Sequence, residues 1–223
     1  MLFDLRGSGR RRTVKIVYVT LALLMGGGLI LFGIGGAVSG GLVDAITGTT
    51  GGSDSTTQRL EDRERAAARR ARANPEAAAA WAELARARFN LANTGDNLDQ
   101  QTGAYSADGR RWLRSAGDAW DKHVDLAKQP DDRVASLMVQ AYSVLGEGVK
   151  ATRAQEVLAG ARNSAGAYAQ LAILAYQSGE TRTGDLARRK ALDLTDPDMR
   201  ESLKGQLDAA KAQATSASGS GGG

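Results

Sequence analysis

From Ile16 to Val43 the chain runs for 28 residues without a charged side chain, and beyond Leu60 its apolar positions return every third or fourth residue. A helix needs about 20 apolar residues to cross a bilayer, so the first pattern predicts a transmembrane helix over 16–39. The second predicts soluble amphipathic helices. Trp81, Leu84, Ala85 and Phe89 form one stripe, and Leu113, Ala116, Trp120, Val124 and Ala127 a second. Ala154, Val157, Leu158 and Ala161 make a third, and Met199, Leu203, Leu207 and Ala210 a last one. No stretch alternates with period two, and β-branched residues are sparse after Ile46. The expected fold class is all-α.

Composition divides the chain around these patterns. Residues 1–15 form a basic segment. Residues 40–58 are rich in Gly, Thr and Ser and read as a flexible linker, with a reach of roughly 25 Å. A helical domain is expected over 59–214, interrupted by a polar insertion at 93–109, and the Ser/Gly/Ala tail 215–223 is expected to be disordered. Cysteine is absent, so no disulfide or thiolate–metal framework supports the domain.

Charge sets the expected orientation. Arg6, Arg10, Arg11, Arg12 and Lys15 precede the apolar run, whereas Arg59 is the only base between Val43 and Leu60. Positive charge is retained in the cytoplasm, which puts the start of the chain inside and the helical domain outside. The expected location is therefore a bacterial inner or plasma membrane, crossed once, with the bilayer itself as a partner. Ala37-Val38-Ser39 offers a cleavage site, but the apolar run exceeds the 7–15 residues of a signal-peptide core, and an uncleaved anchor is expected. The formal charge of +4 resides in the first fifteen residues, and the other 24 bases balance 24 acids. No nucleic-acid partner is expected. Gly33, Gly36, Ala37 and Gly40 have small-xxx-small spacing, which suits helix–helix packing in the membrane and would permit a homo-oligomer.

The helices also repeat. Leu137, Ala141 and Tyr142 recur 34 residues later as Leu171, Ala175 and Tyr176. Trp81, Leu84 and Phe89 precede Val134, Leu137 and Tyr142 by 53, one such period plus a 19-residue insertion. The three prolines, Pro75, Pro130 and Pro197, each follow a helical stripe. A helix-pair period of 34 is that of tetratricopeptide repeats. Trp81-x2-Leu84-Ala85 resembles the opening Trp-x2-Leu-Gly of such a repeat. Leu145-Gly146-Glu147 and Ser178-Gly179-Glu180 resemble its inter-helix turn, and 190–197 (KALDLTDP) its closing stretch. The resemblance covers about residues 76–197 as three helix pairs.

That resemblance implies a groove, lined by the first helix of each pair, that takes up a protein or peptide. With Trp81 as the register marker, the implied groove positions are Arg86, Phe89 and Asn90, then Val139, Tyr142 and Ser143, then Ile173, Tyr176 and Gln177. A slip of one residue would instead turn Phe89, Tyr142 and Tyr176 into core between helices, and both placements stand at this point. The small anchored tetratricopeptide proteins of secretion and of c-type cytochrome assembly have a similar architecture, which implies a scaffold assisting secretion or envelope protein assembly. Two other classes stay open, an envelope enzyme or its regulatory subunit, and a spacer that oligomerises through its membrane helix. No catalytic residue, metal site or cofactor is expected. His123, the single histidine, lies between Asp121 and Asp125 but points away from both on a helix, and it is expected on a solvated surface with the acidic stripe Asp118, Asp121 and Asp125.

Overall fold

The computed structural model describes residues 52–219. The expected basic segment, the membrane helix with Gly33, Gly36, Ala37 and Gly40, and the linker up to residue 51 lie outside the described residues. Within the described residues, no helix is long and apolar enough to cross a membrane. Eight α-helices account for most of them: α1 Gly52–Ala73, α2 Ala78–Ala92, α3 Ala107–Leu126, α4 Asp132–Leu145, α5 Gly148–Arg162, α6 Ala165–Gln177, α7 Thr181–Asp193 and α8 Pro197–Gly219. The all-α expectation holds. Two boundaries move outward, since α1 takes in seven residues expected in the linker, 52–58, and α8 runs on through Ser216 to Gly219. Once an amphipathic stripe fixes a helix, adding a polar or alanine turn costs little.

Contacts at two heights show α2 antiparallel to α1, α3 to α2, α6 to α5 and α8 to α7. Arg70 and Arg88 bond Glu83 and Glu64 at 2.8 and 3.1 Å, crossing α1 over α2. Arg88 also donates to the Ser115 carbonyl at 3.0 Å, while His123 meets the Ala78 carbonyl at 2.9 Å, which sets α3 against α2. Gln155 donates to the Ala167 carbonyl at 3.0 Å and Thr152 meets Ser178 at 3.0 Å, which reverses α6 on α5. Lys211–Asp185 at 2.7 Å and Arg188–Asp208 at 2.6 Å do the same for α8 on α7.

The hairpin ends are set by local chemistry. Asp131 accepts from the amides of Arg133 and Val134 and starts α4, and Ser164 accepts from Ala167 and starts α6. Gly146 and Gly179 take φ of 75° and 80°, open only to glycine without strain. Around each glycine the same two bonds close the helix: Gly146 to Ser143 and Glu147 to Tyr142, then Gly179 to Tyr176 and Glu180 to Ala175. From Asp131 to Ser164, from Gly146 to Gly179 and from Ala151 to Gly184 the separation is 33 residues. The period of 34 read from the sequence is therefore one too long. A buried helical face is wide enough to hold two adjacent positions, so a Leu–Ala–Tyr coincidence can recur one residue out of step.

The insertion is ordered. A short 3₁₀ turn occupies Gly95–Asn97, and Leu98 and Tyr105 form an isolated antiparallel bridge. Asp99 accepts from the amides of Gln101 and Thr102, the Tyr105 hydroxyl donates to Asn93 at 2.6 Å, and Asn97 donates to the Leu91 carbonyl at 2.8 Å. Hydrogen bonding to Thr102, then to these amides, holds the Asp99 carboxyl below its usual range. Ser106 caps α3 by accepting from Gly109.

Candidate protein-binding face

The first helices of the three pairs are α2, α4 and α6, and the nine groove positions implied by the resemblance divide between their two sides. Arg86 and Asn90 on α2, Ser143 on α4 and Gln177 on α6 are exposed, and Ile173 is half-buried. Phe89, Val139, Tyr142 and Tyr176 are buried. The aromatic row thus takes the core placement, one residue out of the groove register. The groove positions that stay exposed are polar, Arg86, Asn90, Ser143 and Gln177, and Gln140 is exposed on α4 beside Ser143. Arg86 reaches Asp131 at 3.4 Å, which brings α2 and the start of α4 together.

The aromatic side chains hold helices. Tyr142 is 1% exposed, and its ring lies so close to Gly117 of α3 that a Cβ there would sit 2.9 Å away. Its hydroxyl is shared between the Gly117 carbonyl at 3.3 Å and Asp121 at 3.2 Å. Tyr176 turns the other way. Its ring lies against Gly184 of α7, and its hydroxyl donates to Asp185 at 2.8 Å. The 33-residue period accounts for the difference, since Tyr142 corresponds to Ala175 and Tyr176 to Ser143. Where the second pair has Ser143 and Ala151, the third has Tyr176 and Gly184, the small residue making room for the ring. Burial first, and then the neighbouring carboxylates, push both phenols above their ordinary value.

His123 is not on a solvated surface. It is 4% exposed, and the Asp131 amide donates to Nε2 at 2.9 Å. Nε2 is therefore the acceptor, which leaves Nδ1–H to donate to Ala78. A neutral imidazole thus joins the start of α2, α3 and the turn into α4. The signal was legible, for His123 continues Leu113, Ala116 and Trp120 at helical spacing, whereas Val124 is 36% exposed. Among the described residues no group of His, Cys, Asp or Glu could hold a metal ion. Among the described residues a hollow of about 400 Å³ is an open dent at the α1–α2 turn, lined by Ala73, Ala77, Ala80 and the Arg70–Glu83 pair. No protein-family model, curated protein or solved structure matches the chain.

Proposed function

We propose that this chain is a membrane-anchored, tetratricopeptide-like scaffold that binds other proteins on the outer side of a bacterial inner or plasma membrane. The observation that carries the reading is the pairing of a 28-residue uncharged run, preceded by five bases, with a repeated helix-hairpin domain. The accessible amide-rich side of α2, α4 and α6 supports a role in recognition. Asn, Gln and Ser can hydrogen-bond the main chain of an extended segment without needing one sequence. The buried phenols and the satisfied His123 support a non-catalytic role, since the residues most suited to chemistry are already engaged in packing.

Site-specific photo-crosslinking in cells tests the binding side. A crosslinking residue at Asn90, Gln140 or Gln177 is expected to give a shared adduct. The same residue at Arg114 on α3 or Arg153 on α5, both exposed, is expected to give none. Equal adducts from both sets, or adducts from Arg114 and Arg153 alone, contradict the reading.

A further inference from the structure

The buried apolar residues fall into two clusters along the array. Trp120, Tyr142, Met138 and Leu113 fill one core that runs from α1 to α5. A second core, from the end of α5 to α8, contains Leu171, Tyr176 and Leu207 among alanines. Between them, α5 offers α6 two of the three buried polar side chains among the described residues, Thr152 and Gln155. Thr152 meets the Ser178 hydroxyl at 3.0 Å, and Gly148 lets the chains approach so closely that a Cβ there would sit 3.1 Å from Ser178. Gln155 is 0% exposed and donates to Ala167, yet its Oε1 has no hydrogen-bond partner. Apolar packing across the seam is small: Leu174 of α6, half-buried, packs against the first core, and Ala159 of α5 belongs to the second.

A seam of this kind is easy to part. Large apolar rings lose packing when two helices separate, whereas hydroxyls and an amide regain water, and the unpaired Oε1 gains a partner it lacks when closed. We infer that the α5–α6 interface is a hinge, across which α6, α7 and α8 open as one unit while α1–α5 stay folded. On the proposed binding reading, the hinge sets the spacing between α4 and α6, and so regulates what their shared side can hold. That consequence rests on the binding reading, whereas the opening itself does not.

Native-state hydrogen exchange of the full chain in detergent micelles tests the opening directly. Amides in the middle of α6 and α7, corrected for intrinsic rates, are expected to exchange at least about tenfold faster than those of α4, and to respond together to low denaturant. A variant that makes the seam apolar with little change of shape, Thr152→Val with Gln155→Met and Ser178→Ala, is expected to remove most of that difference and leave α2–α4 unchanged. Ser178→Ala alone, the mildest change, is expected to shift the same amides in the same direction. Uniform protection from α2 to α7 in the natural chain overturns the hinge. So does a folded seam variant whose α6–α7 amides exchange as fast as before or faster. Photo-crosslinking failing while the two exchange tiers persist would reject the binding reading and retain the hinge.

Discussion

Tyr142 and Tyr176 share a residue type and a place near the end of a helix, yet each holds a different neighbour. Tyr142 fastens α4 backward to α3 through Gly117, and Tyr176 fastens α6 forward to α7 through Gly184. Their burial was legible as one of two placements, because aromatics at helical spacing fill cores more often than they line grooves. Their opposite directions were not legible, because that depends on a one-residue difference in period that only the caps reveal. A pH dependence follows from the raised phenols. The unfolded chain releases a tyrosine proton near pH 10, whereas folded Tyr142 keeps its proton well above that. The contribution of Tyr142 is therefore fully present below pH 10 and declines as pH climbs above it, by about 1.4 kcal/mol per pH unit. Urea titrations from pH 9 to 11.5 should show a shallower loss of stability in Tyr142→Phe than in the natural chain. Parallel slopes would contradict the buried, proton-holding placement.

At the scale of elements, the helices were legible and their junctions only partly so. Stripes such as Leu113–Ala116–Trp120 report burial directly, because side chains three and four apart share a face. The insertion defeated that logic, since its order comes from Asp99, Asn97 and Tyr105 bonding backbone or side chains at other spacings. Gly95, Gly103 and the Ser106–Gly109 cap were the available signals, as turn residues with positive φ or a helix start. Two glycine substitutions separate turn chemistry from helix propensity. Gly179→Ala should lower stability by about 1–2 kcal/mol, because an L-residue is strained at φ 80°. Gly160→Ala, exposed within α5 with open space around the added methyl, should raise it by about 0.5–1 kcal/mol. Thermal or urea melts that move both variants the same way would contradict the assigned turn.

For the molecule as a whole, the domain is bounded by helices that pack on one side only. In α1, Ala67, Ala68 and Ala71 are buried while Arg59, Asp62, Arg63 and Arg69 are exposed; in α8, Leu207 is buried while Glu201, Gln206 and Gln213 are exposed. Polar outer faces of that kind end a helical array and keep it from stacking further. The polarity of those faces was legible in composition, and so was the contrast between the uncharged run and the neutral helical domain. The partition into two cores was not, because Thr152, Gln155 and Ser178 read as ordinary surface residues until α6 is laid against α5. On the proposed function, one segment near the start of the chain holds this domain on the far side of a membrane. The absence of cysteine makes it directly measurable. Single cysteines at Ser8→Cys and at exposed Ser202→Cys are treated in intact cells with a membrane-impermeant thiol reagent, after permeabilising any outer envelope. Labelling is expected at position 202, with protection at position 8 until the membrane is dissolved. Labelling at position 8 with protection at position 202 would reverse the orientation and contradict an extracytoplasmic scaffold.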